Sequence, residues 1–291
     1  MTTLLSPPLI GPAPSTLRRP PPPGAFDVAD TQATVMSNIP MNADYCHMVL
    51  EADGVALTAT AGQFFNIACP ATPNDMPYLR RPMSVYRVLP AAGRIEFLYK
   101  VTGAGTRGLA TLQPGDGIAI LGPLGNGFTL DAGWRNIVVL GRGVGLATLA
   151  PLAELAAERG VGVTAILSAR SRALVMSVER FADCGARVEV VTDQDGSSDP
   201  AHVERLLRRL VAAGHADAFF TCGSNRLMLL MKRVAAEFGI PGQVAMEQQM
   251  ACGLGMCFCC VRNFETADGD VEQRRVCSEG PVFALAEATS W

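Results

Sequence analysis

The chain has 291 residues, 49% of them hydrophobic and 18% charged, enough for two domains and a small third and too apolar to be mainly disordered. Its 24 Lys+Arg against 27 Asp+Glu leave a formal charge of -3, which argues against a general nucleic-acid binder that needs a basic face. No apolar run approaches the roughly 20 residues that span a bilayer, and no apolar signal core opens the chain, so a cytoplasmic protein with reduced thiols is expected, with neither membrane nor nucleic acid as partner.

Residues 1–28 are proline rich, with Pro7, Pro8, Pro12, Pro14 and Pro20 to Pro23. Proline has no amide donor and stiffens the chain, so an extended tail or a docking segment is expected. Residues 29–131 read as short strands. Arg94–Val101 alternates, with Ile95, Phe97, Tyr99 and Val101 on one side and only Leu98 breaking the pattern. Gln63–Ala68, Met83–Leu89 and Gly117–Leu121 are further strands, and Gly/Pro turns between them suggest a closed antiparallel barrel. Residues 132–241 change pattern. Strands at Ile137–Leu140, Val161–Ser168, Arg187–Val191 and Asp217–Thr221 alternate with helices, which means βαβ units and a parallel sheet. Residues 242–291 are rich in Gly and Cys and show little periodicity.

That last stretch carries five of the nine cysteines. Cys252, Cys257 and Cys260 stand in a C-x4-C-x2-C array, with Cys277 further on. This is the spacing of plant-type 2Fe-2S ligation: one tight loop supplies three thiolates and a fourth closes from elsewhere. Gly253 and Gly255 let backbone N–H groups approach the sulfurs. Zinc would also take four thiolates but favours paired short knuckles, and buried structural thiols are a further alternative. Cys259 is one thiol too many and is expected to pack as a small core residue.

Two other segments are suggestive. Arg81 followed by Ser84, then a Gly105-Thr106 turn, could hold a flavin, the guanidinium meeting a pyrophosphate. Gly141, Gly143 and Gly145 follow a buried strand and precede a helix, where nucleotide phosphates bind. Cys222-Gly223 closes the last expected parallel strand, at the edge where ligands of such sheets sit. His47, His202 and His215 are scattered and read as surface or packing residues.

Arg81-Pro82-Met83-Ser84, Gly105-Thr106, Gly122–Phe128, Met250–Cys257 and Val276–Phe283, in that order, resemble the electron-transfer subunits of type B dihydroorotate dehydrogenases, within the ferredoxin–NADP reductase superfamily. The resemblance implies an antiparallel FAD-binding barrel, a parallel-sheet NAD-binding domain and a small C-terminal 2Fe-2S module. It implies that Arg81, Pro82, Met83, Ser84, Leu98, Tyr99, Lys100, Gly105 and Thr106 line the FAD. Cys252, Cys257, Cys260 and Cys277 would then ligate the cluster. It further implies NAD(H) as substrate, with NADP(H) also open through Arg170 and Arg172, and a partner flavoprotein carrying FMN. No side chain of this chain is expected to act as a catalytic acid or base. Ser224 replaces the proline common after Cys-Gly, and Arg142 replaces a small residue. Nicotinamide exchanges two electrons and an iron–sulfur cluster one, so a flavin must sit between them. A reductase serving another oxidoreductase or an oxygenase would share these cofactors; a redox-sensing or zinc-binding interaction protein would not need the flavin pocket.

Overall fold

The computed structural model describes residues 28–290, so the proline-rich segment up to residue 27 lies outside the described residues. The first sheet comprises β1 (Ala29–Pro40), β2 (Tyr45–Glu51), β3 (Phe64–Ile67), β4 (Arg81–Ser84), β5 (Arg87–Leu89), β6 (Arg94–Lys100) and, after the short helix α1 (Ala104–Leu109), β7 (Gly117–Leu124). Their order is β4-β3-β7-β1-β2-β6-β5, antiparallel throughout.

The two outermost strands are consecutive in the chain. After β4 has paired with β3, Val85 N–H bonds the Gln63 carbonyl and Tyr86 N–H bonds that of Glu96, and β5 then pairs with β6. One bent segment thus covers both free edges, which closes the sheet into a barrel. The single strand expected at Met83–Leu89 is therefore two strands, because the bend at Val85–Tyr86 hands the chain from one partner to the other. Phe65, Ile67, Ile95, Phe97, Tyr99, Ile118 and Ile120 fill the interior. Leu98, the residue that breaks the alternation of β6, points outward and packs on Tyr45, Ala147 and Met176. It belongs to the contact between the barrel and the second sheet.

The second half runs β8 (Asn136–Arg142), α2 (Gly145–Glu158), β9 (Gly162–Ala169), α3 (Val178–Asp183), β10 (Arg187–Thr192), α4 (Pro200–Ala212), β11 (Ala218–Cys222), α5 (Asn225–Phe238), β12 (Gly242–Ala245), β13 (Val261–Glu265), β14 (Val271–Arg275), α6 (Val276–Glu279) and β15 (Val282–Ala284). Six of these strands form one sheet in the order β10-β9-β8-β11-β12-β15, parallel except that β15 pairs antiparallel with β12. After β10 the chain crosses to the far side of β8, so the loops after β8 and β11 flank the point where strand order reverses. By hydrogen bonding, β12 and β15 complete this sheet although both fall within residues 242–291. α4 and α5 bury one apolar stripe each, through Val203, Leu206, Leu207 and Leu210, and through Leu227, Met231 and Val234. Asp199 caps α4 at the Ala201 amide, and Ser224 accepts from Leu227 N–H to cap α5, so the serine standing in place of proline has a structural use.

β13 and β14 form a separate hairpin turned at Asp268-Gly269, where Gly269 has φ +85°. The segment between β12 and β13 carries the cysteine array. It is wedged between the halves, since Phe64 and Leu124 of the barrel share one apolar cluster with Met250, Cys260, Cys277 and Phe283.

Candidate functional site

A cavity of about 480 Å³ opens where barrel, sheet and cysteine segment meet. Pro82, Met83 and Ser84 of β4 and Leu98, Tyr99 and Lys100 of β6 form its barrel wall, Val144 and Thr148 its helical wall, and Met246 to Met250 its third side. Such a volume, mostly apolar with a few polar groups, suits a planar organic cofactor. The Tyr99 ring is inside the barrel, its hydroxyl donating to Asn38 Oδ1 at 2.9 Å, and burial foremost raises its pKa. Arg81 lies at the start of β4, its guanidinium bonding the Leu79 carbonyl at 2.5 Å. A Cβ at Gly105 would stand 2.8 Å from Arg81 Nε, so glycine there makes room for that side chain. The Thr106 hydroxyl accepts from the Thr102 and Gly103 amides and donates to the Gly103 carbonyl, so it shapes the loop rather than facing the cavity. The group of residues thus holds together on one wall, with Gly105 and Thr106 behind it.

A second cavity, of about 200 Å³, adjoins the first through Lys100, Val144 and Glu247. Arg142, Gly143, Arg170 and Gly223 line it; Gly141, Gly145 and Cys222 do not. Those three residues serve packing instead. A Cβ at Gly145 would come 2.5 Å from the Cys222 carbonyl oxygen, so the two strand-end loops touch backbone to backbone. Arg142 reaches across β9, donating to Ser168 Oγ at 2.9 Å and to Asp193 at 3.2 and 2.6 Å. Those bonds, with one from Ser198, hold the Asp193 carboxyl below the usual range. Cys222 is fully buried, and burial pushes its thiol well up. Glu247 opens onto the cavity mouth, yet protein surrounds its carboxyl closely enough that desolvation raises its pKa.

All nine cysteines are free. In the array the sulfurs of Cys260 and Cys277 are 3.1 Å apart and buried, while Gly255 N–H points at Cys277 Sγ from 3.2 Å and Leu254 N–H at Cys252 Sγ from 3.3 Å. Burial works against the Cys252 thiolate, but backbone N–H groups and the neighbouring Cys257 thiol outweigh it and bring the pKa down to about 7. The bond from Cys277 is the main cause that lowers Cys260, to about 6, while that same bond and burial raise Cys277. The four thiols therefore interact as two pairs, Cys252 with Cys257 and Cys260 with Cys277. Among the described residues, no three His, Cys, Asp or Glu side chains converge on a single point. Pairs are what two irons sharing four thiolates require. Cys259, expected in the core, is instead exposed. Phe258 has a left-handed φ of +58°, and the kink sends Cys259 outward while Cys260 turns in.

Two polar groups beside the array lack partners. Both side-chain atoms of buried Asn66, and Ser278 Oγ, find no hydrogen bond within the protein. Asn66 abuts Gly253 and Ser278 abuts Gly255. Orphaned donors at the two glycines, N–H groups aimed at sulfur and thiols set close together are a donor set that fits an iron–sulfur cluster. Sequence reasoning missed Phe64, Thr148, Glu247 and Asn66. Nothing in their local pattern marks them; they matter because β3, α2 and the segment after β12 converge.

A family model for the iron-sulfur cluster binding domain of dihydroorotate dehydrogenase B matches residues 247–288. The electron transfer subunit of NAD(+) dihydroorotate dehydrogenase B from Desulforamulus reducens is 32% identical over 237 residues, covering 81% of this chain and 89% of that protein. The subunit of the same description from Geobacillus sp. (strain WCH70) is 30% identical over 261 residues, 88% of this chain and 97% of that one. Among solved structures, a chain of NADH-dependent reduced ferredoxin-NADP oxidoreductase superposes with a TM-score of 0.74 at 27% identity, covering 88% of both chains. A cytochrome P450 reductase from Amycolatopsis shares the fold, with a TM-score of 0.59 at 22% identity over 74% of this chain and 68% of that one.

Proposed function

The chain belongs to the electron transfer subunits of NAD(+)-dependent dihydroorotate dehydrogenase B, and on that premise we propose how its residues relay electrons and to what partner. It is an oxidoreductase subunit that works with FAD, a 2Fe-2S cluster and NAD(H). When bound, the flavin exchanges electrons in pairs with nicotinamide and singly with the cluster. The observation that carries the reading is the shared cavity: one space of about 480 Å³ is bounded by the barrel, by α2 and by the residues leading directly into Cys252.

Pro82 to Ser84 and Leu98 to Lys100 give the flavin a rigid wall, since both strands are held on their far side by the barrel core. Arg81 supplies a fixed guanidinium for its pyrophosphate. The Gly143 loop and the N-terminus of α2 receive the dinucleotide phosphates in the adjoining cavity, which brings the nicotinamide toward Ser84. Met246 and Met250 keep water from the space between the two cofactor sites. Cys252, Cys257, Cys260 and Cys277 ligate the cluster. The catalytic partner is a flavoprotein, FMN-containing, that oxidises dihydroorotate in cytoplasmic pyrimidine synthesis.

Protein isolated without oxygen should carry FAD with about two irons and two sulfides per chain. NADH should bleach the flavin, and a dihydroorotate-oxidising flavoprotein should co-purify from the native source. Zinc in place of iron, or no bound flavin, would sink the reading.

A further inference from the structure

We propose that Asn66, a residue of the flavin barrel, together with Ser278, donates hydrogen bonds to the bound cluster and so raises its reduction potential. This rests on the cluster being held by Cys252, Cys257, Cys260 and Cys277.

The argument begins with what a buried amide needs. A primary amide has two donors and an acceptor, and leaving them unmet in the protein interior is unfavourable. Asn66 is 1% exposed, yet neither Nδ2 nor Oδ1 has a partner. Alternation along β3 fixes where it points. Phe65 and Ile67 fill the barrel interior, so Phe64 and Asn66 face outward. Phe64 reaches the apolar cluster that contains Cys260 and Cys277. Asn66, on the same side, has its amide nitrogen against Gly253, in the loop between Cys252 and Cys257. It is not among the residues bordering the flavin cavity.

Ser278 repeats the situation opposite. Its hydroxyl is buried and unpartnered, and a Cβ at Gly255 would lie 2.6 Å from its oxygen. The backbone N–H groups of Leu254 and Gly255 are already spent on cysteine sulfurs. Each cysteine-loop glycine is thus backed by one polar side chain with capacity to spare. An acceptor that would satisfy both must lie within the loop, and cluster sulfur is one. Reduction places an added electron on the cluster, and donors aimed at its sulfurs stabilise that extra negative charge. Asn66 gains a further meaning from its place in the chain. It is next but one to Phe64, which lines the flavin cavity, so a single short strand touches both cofactor sites.

The test is a redox titration of the purified holoprotein, following the cluster by EPR and the flavin by absorbance. Variants are Asn66→Asp, which keeps the shape but loses the amide donor, Asn66→Leu and Ser278→Ala. The cluster midpoint should move to more negative potential in each, furthest in Asn66→Asp, with changed EPR g-values and an unmoved flavin midpoint. A variant that keeps full iron content with the wild-type midpoint and g-values at both positions overturns the proposal. Should Asn66→Asp or Asn66→Leu fail to retain iron, Ser278→Ala and Asn66→Ala decide: each removes a donor and should move the midpoint to more negative potential, and unchanged potentials in both overturn the idea. Wild-type protein without iron would remove the ligand assignment itself, a different failure from a cluster that is present but indifferent to these residues.

Discussion

The six-stranded sheet and the cysteine segment are ordered by different means. The sheet's central strands are buried on both faces: Ile137 to Leu140, Ala165 to Leu167 and Ala218 to Phe220 are each almost inaccessible to solvent. Continuous apolar burial of that kind, at about 25 cal/mol per Å², holds its shape with nothing bound. The segment from Met250 to Cys260 has no regular secondary structure, exposes Leu254, Met256 and Phe258, and turns through left-handed residues at Gly253, Gly255 and Phe258. Only Met250 and Cys260 of its larger side chains are buried. One region is specified by hydrophobic packing, and if the proposed ligation specifies the other, perturbations should separate them.

The sharpest separation comes from a thiol proposed to hold the cluster. Cys260→Ser should abolish the visible absorbance of the cluster and its iron while leaving FAD bound and the far-ultraviolet circular dichroism of the sheet in place. Loss of both cofactors together would break the distinction. Phe219→Ala is the reverse experiment. Phe219 is fully buried in the core beneath α4 and α5. Its truncation should destabilise the protein by about 3–5 kcal/mol, read from urea unfolding, with iron content per folded molecule unchanged.

A smaller effect should follow from Gly253→Ala. Its φ of +72° costs an L-residue about 1–2 kcal/mol, and the added methyl would press on Asn66. Iron retention on dialysis against a chelator should fall, while the urea midpoint of the sheet stays put. A shift of the urea midpoint instead would mean that the loop is coupled to the packed core.

What was legible in the sequence follows the same division. The runs at 137–140 and 217–221 were readable because parallel central strands are continuously apolar. The cysteine spacing stood out because a ligating array would fix residue type at fixed intervals. β1 was not anticipated, since half of it is polar and only Ala33 and Val35 within it are buried; β2 was not anticipated either. β12 was hidden by its length of four residues and by the glycine that starts it. The β13–β14 hairpin did carry a signal, Asp268-Gly269, which the neighbouring cysteines overshadowed. Of the cavity lining, Pro82 to Ser84 lie in a stretch that stood out as a motif. Glu247 and Asn66 did not, because neither stands in a pattern; their significance arises only from strands that meet in space. Cys259 shows the limit of residue type alone: a cysteine is usually buried, but here the local backbone turn decides.

The smallest expected effect lies within the barrel, in a charged pair on two neighbouring strands. His47 and Glu96, on neighbouring strands β2 and β6, are 2.9 Å apart. Burial acts to raise the Glu96 pKa, but the His47 hydrogen bond, the His47 charge and the nearby Arg180 and Arg87 outweigh it, and the carboxyl titrates below its ordinary 4.5. A group lowered on folding adds stability above its unfolded pKa, and that stability is lost as pH falls through the lower folded value. His47→Leu removes the donor and leaves the burial. The Glu96 pKa should then rise, the acid limb of the stability curve should move to higher pH, and the loss near neutrality should be about 1 kcal/mol, since solvent reaches part of the pair. Urea midpoints measured from pH 3 to 7 would show it. An acid limb that does not move would mean that the His47 hydrogen bond does not set the Glu96 pKa.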